Sequence, residues 1–305
     1  MKIYNHKIIN FFPLVFFSHI LLSQTSYQVV TRKIQKEFSF SESDYLIINA
    51  EKGIIDIQPW EEKKVRVIAT IVVKNQDLNM AKKELEYIKW DAFEKNRELK
   101  LYNSILLPQG KELTSIVRVE YTILIPQGAH FSVYNKFGQV NVSNLRCLSK
   151  YNLQYCDMNL KNITGAVHIT SNVGDLFLND INGLLQITSR YSSVNLSNLS
   201  GNAGVTATYG DIKANITNKL SNLTITAERC DVVLTNKICQ EINLNLETKY
   251  GELNLLESCY AKDKSLIMKK TTGSAPNTTK TYNYTTPEAE NFLKIKNIYG
   301  NITLN

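Results

Sequence analysis

The chain has 305 residues, of which 43% are hydrophobic, and 35 Lys and Arg against 28 Asp and Glu give it a formal net charge of +7. The charge is spread along the chain without a basic block, so ordinary solubility explains it and nucleic acid is not supported as a partner. Beyond the N-terminal segment only His130 and His168 remain, each alone, so zinc catalysis has no support. The sequence also lacks a G-x-S-x-G nucleophile motif and a phosphate-binding loop.

The N-terminal segment 1–23 has the layout of a cleaved secretory signal peptide. Lys2 and Lys7 precede an apolar run, and Ser23 and Gln24 follow it. The run is interrupted and is shorter than the roughly 20 apolar residues of a membrane-spanning helix; an N-terminal membrane anchor is the alternative. We expect an exported protein, in the periplasm or at the cell surface, with no transmembrane segment after cleavage.

Residues 24–132 are predicted to form a β-rich capping region with one helix. Three segments alternate apolar and polar residues like strands: KVRVIATIVV, RELKLYNSIL and IVRVEYTILIP. A helix is predicted after Asp77, a suitable N-cap, from the helical spacing of Leu78, Ala81, Leu85, Ile88 and Phe93. Gly53 is a degenerate match to the repeat described next, so a first turn of that repeat is expected there.

From residue 133 onward a three-residue unit recurs: an aromatic residue, a small residue, and an acidic or polar residue. Its central residues are 138, 156, 174, 192 and 210, a constant spacing of 18, and then 230, 251 and 300. The positions two and four residues after each centre are always apolar, and the residue between them is mostly polar, which is the period of a strand with one buried face. The sixteen apolar residues are Val140, Val142, Met158, Leu160, Leu176, Leu178, Val194, Leu196, Ile212, Ala214, Val232, Leu234, Leu253, Leu255, Ile302 and Leu304.

This pattern predicts an all-β fold, a parallel β-helix or solenoid of about 18–21 residues per turn, over residues 133–260. One turn cannot bury its apolar side chains alone, but stacked turns satisfy one another's backbone groups and share a core. The ends need a cap, because an open strand edge promotes aggregation. Residues 261–292, rich in Thr and Asn, are expected to loop out, and residues 293–305 to form a final turn that finishes the stack.

Cys239 and Cys259 are the candidates for a disulfide among the five cysteines. Cys239 lies nine residues after the centre at 230, and Cys259 continues the same column eight residues after the centre at 251. The two would lie in adjacent turns about 4.8 Å apart, within the Cα range that a bridge allows. Cys156 and Cys230 take the central position four turns apart, roughly 19 Å by the same spacing, which is too far to pair. The alternative is that all five are reduced, buried thiols.

The aromatic position before the centre supplies the candidate binding face, which consists of Tyr155, Tyr191, Tyr209 and Tyr250. Rings in a row suit sugar rings, which pack an apolar face on an aromatic ring. The alternative is structural, since rings stacked from turn to turn stabilise a solenoid without any ligand.

The residue after the centre is acidic in five turns: Asp157, Asp175, Asp211, Asp231 and Glu252. Carboxylates about 5 Å apart are compatible with a glycosidase pair or with bound Ca²⁺. An Asp that accepts a hydrogen bond from the turn backbone is the simpler explanation. The central residue is Gly, Cys or Ser, which indicates a tight corner that requires small size rather than a left-handed backbone. We predict no catalytic residue, cofactor or metal site.

The aromatic-Gly-Asp-apolar-x-apolar unit, with the opening segment NAEKGIIDIQ after a signal peptide, resembles the DUF4097 and DUF2807 families of proposed adhesins, the head GIN domain proteins of Bacteroidetes. The resemblance covers residues 44–305. It implies a parallel, right-handed β-helix in an exported or envelope protein, and it brings no catalytic residues.

These observations predict a non-catalytic cell-envelope protein, an adhesin or ligand-binding solenoid whose partner is an envelope glycan or protein. Two alternatives remain: a polysaccharide-active lyase or hydrolase, by analogy of fold alone, and a purely structural or regulatory envelope module. The enzyme alternative is disfavoured because such enzymes build a cleft from long loops, whereas most turns here have 18 residues.

Overall fold

The computed structural model describes residues 26–217, 219–235, 242–255, 279–284 and 289–305. The predicted signal peptide, Cys239 and Cys259 of the predicted disulfide, and most of the 261–292 segment lie outside these residues. Within them the chain forms one mixed sheet of 17 strands and one short helix.

The strands in chain order are β1 (Gln28–Ser39), β2 (Tyr45–Glu51), β3 (Gly53–Trp60), β4 (Lys64–Asn75), β5 (Ile88–Lys95), β6 (Glu98–Ile105), β7 (Ile116–Pro126), β8 (His130–Asn172), β9 (Leu176–Arg190), β10 (Val194–Ser197), β11 (Ser200–Asn215), β12 (Leu220–Thr235), β13 (Asn243–Lys249), β14 (Leu253–Asn254), β15 (Thr279–Tyr284), β16 (Phe292–Ile298) and β17 (Ile302–Leu304). The helix α1 (Leu78–Leu85) lies between β4 and β5.

Strands β8 to β12 form a regular parallel solenoid. Paired residues of β8 and β9 are 18 positions apart, as in Leu160 beside Leu178, and the same offset relates β9 to β10 and β11. Between β11 and β12 the register shifts after Gly201, and the offset becomes 20. The predicted all-β solenoid and its turn length are confirmed.

The predicted inward columns form the core of this solenoid. Fourteen of the sixteen apolar positions are buried, and Leu160 and Leu178 are each 1% exposed. The exceptions, Leu253 and Leu255, are half-buried because they belong to the last turn in space. Burial of one aliphatic side chain contributes about 1.5–3 kcal/mol, and each turn gains this contribution only when another turn lies against it.

At the N-terminal end, the order of turns in space differs from their order in the chain. β2 and β3 form one turn and pair in parallel with β8, so a turn of the repeat is present at Gly53 as expected, but it is not the first turn in space. On their other side, β2 and β3 pair in parallel with β6 and β7, which come later in the chain. Antiparallel strands cover this β6–β7 turn, since β5 pairs with β6, β4 with β7, and β1 with β4.

The C-terminal end repeats this arrangement. β16 and β17 pair in parallel with β12 on one side and with β13 and β14 on the other. Residues 292–304 therefore lie inside the stack, and the expectation that they finish it is wrong. Among the described residues, the last turn in space is β13–β14, and the antiparallel strand β15 covers its β13 edge. Periodicity cannot show such an insertion, because a turn with the right columns is able to pair with any other turn.

The helix α1 is shorter than predicted. Asp77 is its N-cap as expected, and the Asp77 Oδ1 atom accepts hydrogen bonds from the backbone N–H groups of Asn79 (2.7 Å) and Met80 (3.4 Å). The helical spacing also includes Ile88 and Phe93, but both lie in β5, where pairing with β6 overrides the helical pattern. In the described part of the chain, no helix is long and apolar enough to span a membrane.

A buried carboxylate links α1 to the segment that enters β7. Glu84 is 2% exposed. Its carboxylate accepts hydrogen bonds from Thr114 N and Oγ1, both at 2.9 Å, and from Ser115 N at 2.8 Å. Burial by itself raises the pKa of Glu84, but these hydrogen bonds outweigh burial and hold the pKa below its ordinary value.

Each turn bends at the residue before the centre, and that residue has a left-handed backbone. Nine residues occupy this position, none is glycine, and their φ angles lie between 53° and 65°: Lys52, Phe137, Tyr155, Val173, Tyr191, Tyr209, Arg229, Tyr250 and Tyr299. Positive φ is unfavourable for bulky residues, typically by about 1–3 kcal/mol. Packing between turns therefore has to offset a local cost at every corner.

The central glycines are required by close approach between turns. A Cβ atom on Gly210 would lie 2.1 Å from the carbonyl oxygen of Ser192, and one on Gly138 would lie 1.9 Å from that of Gly53. At the Gly138 corner, Asn135 Nδ2 also donates a hydrogen bond of 2.8 Å to the carbonyl oxygen of Gly53. The sequence-based interpretation of a small residue at a tight corner agrees with this geometry.

We predict that Gly210→Ala destabilises the solenoid by about 1–3 kcal/mol, the usual cost of forcing extra volume into a packed region. The matched control is Gly204→Ala on the same strand, whose added Cβ would meet only the flexible side chain of Gln186. Urea unfolding of both variants measures the difference. Equal stabilities would contradict the proposed contact between turns.

We predict that Glu84→Gln lowers the free energy of unfolding most at neutral pH, by about 1–3 kcal/mol. The folded pKa of Glu84 lies below its unfolded value, so the ionised carboxylate contributes stability above the ordinary carboxyl pKa, and this contribution is lost as the pH falls through the folded pKa. The gap between wild type and variant should therefore shrink below about pH 4. Urea unfolding across a pH series checks this, and a gap independent of pH would refute it.

Candidate functional site

The aromatic residues before the centres form one row along an edge of the solenoid, which we call the aromatic corner. Since β16 and β17 lie between β12 and the β13–β14 turn, Tyr299 precedes Tyr250 in this row. The order of the aromatic corner in space is Phe137, Tyr155, Val173, Tyr191, Tyr209, Arg229, Tyr299 and Tyr250. The left-handed backbone directs each of these side chains outward, and Tyr155, Tyr191 and Tyr299 are each about half exposed. The four predicted tyrosines thus lie in a single row, together with Phe137 and Tyr299.

The rings of the aromatic corner stack on one another in pairs. The ring centroids of Phe137 and Tyr155 are 5.0 Å apart, and those of Tyr191 and Tyr209 are 4.8 Å apart. Tyr250 and Tyr299 stack at 4.8 Å with an interplanar angle of 9°. This spacing equals the distance between neighbouring strands, so the backbone itself sets the stack.

Cations cover further ring faces of the aromatic corner. The Arg229 guanidinium lies between two rings, 5.0 Å from the centroid of Tyr209 and 5.6 Å from that of Tyr299. Arg190 lies over Tyr191 at 5.1 Å, and Lys249 lies over Tyr250 at 5.0 Å. Neighbouring rings and cations thus occupy many of the faces that a sugar ring would need, and the Tyr209 hydroxyl accepts a hydrogen bond from Arg229.

Two of the acidic residues after the centres, Asp157 and Asp231, bind the backbone of the next turn. Asp157 Oδ1 accepts a hydrogen bond from the N–H of Asp175 at 2.9 Å, and Asp231 Oδ1 accepts one from the N–H of Asn301 at 2.8 Å. Glu252 forms an ion pair with Lys280. These contacts favour a structural role, in which the carboxylates stabilise the backbone of the turns, over a glycosidase pair or a calcium site. Among the described residues, no group of three His, Cys, Asp or Glu side chains is placed to hold a metal ion.

A groove runs beside the aromatic corner on the face formed by β9, β10 and the adjoining turns. Its volume is about 370 Å³. One wall is the in-register row Asn159, Phe177, Asn195 and Lys213, and the other is the row Lys161, Asn179, Ser197 and Asn215. We call this feature the amide groove. The groove was not predicted from the sequence. The pattern that indicates it is Phe177, a single aromatic residue in a column that is otherwise mostly polar.

The row that contains Phe177 begins as a ladder of hydrogen-bonded side chains. Asn141 Nδ2 donates to Asp56 Oδ1 at 2.6 Å, and Asn159 Nδ2 donates to Asn141 Oδ1 at 2.9 Å. Phe177 interrupts the ladder, and within the described residues the Asn195 amide beyond it has no hydrogen-bond partner. The interruption leaves an exposed aromatic ring beside a partly exposed amide to which no described residue is hydrogen-bonded.

The described cysteines are not reactive thiols. Cys147, Cys156 and Cys230 are buried and unpaired, as expected for the latter two from their separation. Burial raises the pKa of Cys147 to about 11, and it also raises the pKa of Cys156 and Cys230. The Cys239 and Cys259 bridge stays a prediction.

Two solved structures are similar to the chain at low identity. A candidate cell adhesion protein from Clostridium sporogenes ATCC 15579 is 12% identical, with 90% of this chain and 99% of that chain covered and a TM-score of 0.28. A candidate adhesin from Bacteroides fragilis NCTC 9343 is 10% identical, with 90% of this chain and 97% of that chain covered and a TM-score of 0.38. TM-scores this low carry no argument about the fold or function of this chain.

No curated protein matches the sequence. The family model described as Toastrack DUF4097 matches residues 43–304. The DUF4097 part of the predicted resemblance is therefore confirmed, whereas DUF2807 and an origin in Bacteroidetes stay predictions. Because the match spans most of its length, the chain belongs to the Toastrack DUF4097 family.

Proposed function

We propose that this protein is exported to the cell envelope and acts there as a non-catalytic, adhesin-like binding module. The layout of residues 1–23 and the family membership support export and an envelope role. The contact surface is the aromatic corner, including the predicted residues Tyr155, Tyr191, Tyr209 and Tyr250. The partner is an envelope glycan or an envelope protein.

The observation that carries this proposal is the row of partly exposed tyrosines with cations between them. Successive turns present these groups about 4.8 Å apart, so one extended partner is able to contact several at once. Each single contact is weak, but contacts repeated along a rigid scaffold combine without a new ordering cost. A rigid, repetitive surface of this kind suits binding to a repetitive polymer or to an extended protein segment.

The contact uses ring edges rather than ring faces. The Tyr191 and Tyr209 rings are stacked on each other, and Arg190 and Arg229 lie over them. A partner that needed the ring faces would have to break these stacks. The Tyr209 hydroxyl already accepts a hydrogen bond from Arg229 but is still able to donate one, and the Tyr191 hydroxyl is able to donate and accept, so a partner can bind these groups without that rearrangement.

We predict that the double variant Tyr191→Phe, Tyr209→Phe keeps the fold and weakens partner binding. The rings still stack, and the fold loses the hydrogen bond from Arg229 to Tyr209, so the free energy of unfolding should change by no more than about 0.5–1.5 kcal/mol. Loss of two hydrogen bonds at about 0.5–1.5 kcal/mol each should weaken binding by about tenfold. Titration on arrays of envelope glycans and on isolated envelope proteins measures the affinity.

The control for this prediction is the double variant Thr188→Ala, Thr206→Ala. It replaces two other exposed side chains in the turns that carry Tyr191 and Tyr209. Its binding should equal that of the wild type. If the Phe variant binds normally while Tyr191→Ala, Tyr209→Ala fails, the ring faces and not the hydroxyl edges form the contact. Normal binding by all variants would remove the aromatic corner from the proposal.

We predict that protease added to intact producing cells degrades the mature chain only if it reaches the cell surface. Immunodetection of the chain with and without cell lysis separates surface from periplasmic location. Retention of residues 1–23 in the cytoplasmic fraction, found by mass spectrometry of the N-terminus, would contradict export.

A further inference from the structure

We propose that the C-terminal strands of this protein exchange between copies, so that the chain assembles with itself. The C-terminal unit consists of β15, β16 and β17, residues 279–284 and 292–304. In the structure it pairs with β12, β13 and β14 of its own chain, and the proposed partner is the same set of strands in a second copy. This inference goes beyond the proposed binding role and does not depend on it.

The C-terminal unit fills the space between β12 and the β13–β14 turn, which we call the slot. β16 pairs along seven residues with β12 on one side and along seven residues with β13 on the other. β17 pairs in the same way with β12 and β14, and β15 covers the outer edge of β13. The unit therefore holds β13 between β15 and β16, and every strand with which it pairs comes before residue 256.

Side chains on both walls of the slot recognise this particular turn. Asp231 Oδ1 accepts a hydrogen bond from the backbone N–H of Asn301 at 2.8 Å, and Asn301 Oδ1 accepts one from the N–H of Glu252 at 2.9 Å. Thr248 Oγ1 donates a hydrogen bond to the carbonyl oxygen of Gly300 at 2.8 Å. The slot thus fits one occupant, the turn 292–304, whether that turn comes from the same chain or from a second copy.

The apolar face of the turn makes an empty slot a strong acceptor. Its four inward side chains are buried in the shared core: Leu293, Ile295, Ile302 and Leu304. A slot that loses this turn exposes the edges of β12 and β13 together with the aliphatic columns of both walls. Open strand edges of this kind promote pairing with another chain.

The connection between the C-terminal unit and the rest of the chain permits either source. Consecutive turns from β8 to β11 follow one another at a spacing of 18 residues. By contrast, residues 256–278, which lie outside the described part of the chain, connect β14 to β15. An extended chain of that length spans up to roughly 80 Å, far more than the distance of about 4.8 Å between neighbouring turns.

Because the contacts are the same in both arrangements, concentration decides between them. A short flexible linker holds its own unit at an effective concentration on the order of 1 mM, and a longer linker gives a lower value. We therefore expect insertion within one chain in dilute solution, and exchange where copies of the chain are crowded.

One contact of the C-terminal unit is incomplete, which favours its release. Asn135 and Asn297 both lie three residues before a centre, and both are buried. Asn135 Oδ1 accepts a hydrogen bond from Gly53 N at 3.3 Å, and its Nδ2 donates one to Gly53 O at 2.8 Å. Asn297 Nδ2 donates to Cys230 O at 2.8 Å, but within the described residues its Oδ1 has no partner. A buried carbonyl without a hydrogen bond destabilises the turn that carries it.

The test is a mixing experiment with two variants that each carry one added cysteine. Thr226 in β12 lies beside Lys296 in β16, and both residues are exposed. Thr226→Cys and Lys296→Cys are mixed, incubated in urea below the unfolding transition, and oxidised after the urea is removed. A disulfide between the two positions joins different chains only when β16 of one copy has entered the slot of the other. Non-reducing electrophoresis and mass spectrometry identify this heterodimer.

We expect the heterodimer to form, and its ratio to monomer to rise about tenfold when the concentration of both variants rises tenfold, by mass action. Circular dichroism should stay unchanged, because exchange replaces each contact with its equivalent. In dilute solution the double variant Thr226→Cys, Lys296→Cys should form a disulfide within one chain, which checks the register of β12 and β16.

The matched control is a mixture of Thr206→Cys and Thr226→Cys. These two positions are also exposed and in register, but they lie on β11 and β12, which follow one another directly in the chain. This mixture should give only the background of collisions between surface cysteines, and the wild-type chain measures the contribution of the native cysteines.

Three results would overturn the inference. Equal heterodimer yields from the two mixtures would show that collisions explain the product. Absence of the heterodimer at every concentration, while the double variant forms its disulfide within one chain, would show that the turn never leaves its own slot. A double variant that forms no such disulfide would contradict the slot itself.

A last comparison separates this inference from the proposed function. Tyr191 and Tyr209 lie outside the slot, so the Tyr191→Phe, Tyr209→Phe variant with the same added cysteines should exchange as the wild type does. Failure of exchange would leave binding at the aromatic corner untouched. Failure of the wild-type chain to bind any envelope partner would leave exchange untouched.

Discussion

In-register hydrogen bonding between successive turns is the constraint on which the rest of this structure depends. It places equivalent positions about 4.8 Å apart, so a side chain repeated at one position becomes a column. Aliphatic columns such as Leu160, Leu178 and Leu196 become the core, and aromatic residues become the stacked corner. The same geometry brings the backbones so close that Gly210 cannot carry a Cβ atom. The core, the corner and the surface rows are consequences of one register.

The register also explains how the surface acquires its candidate sites. Some outward columns are satisfied within the protein, as in the ladder from Asp56 to Asn159 and in the rings held between cations. A candidate site arises where a column changes residue type, because a neighbour in that column then loses its partner. Phe177 is such a change, and the amide of Asn195 is left without a partner within the described residues.

Much of the fold could be predicted from the sequence because the contiguous turns have a constant spacing of 18 residues. The buried columns, the turn at Gly53 and the N-cap at Asp77 all follow from local patterns. The place of β16 in the stack could not be predicted, since equivalent columns allow any turn to pair with any other. The assignment of Ile88 to β5 also depends on a distant partner strand. The four tyrosines were found as a column, but the cations on their faces depend on neighbouring turns and the groove around Phe177 depends on two rows at once.

The insertion of β16 and β17 between β12 and β13 has a consequence for the order in which the molecule assembles. Residues 243–254 are synthesised before the strands that separate them from β12, so they cannot reach their native position until residues 292–304 are available. This end of the solenoid therefore stays incomplete until β16 and β17 pair with β12.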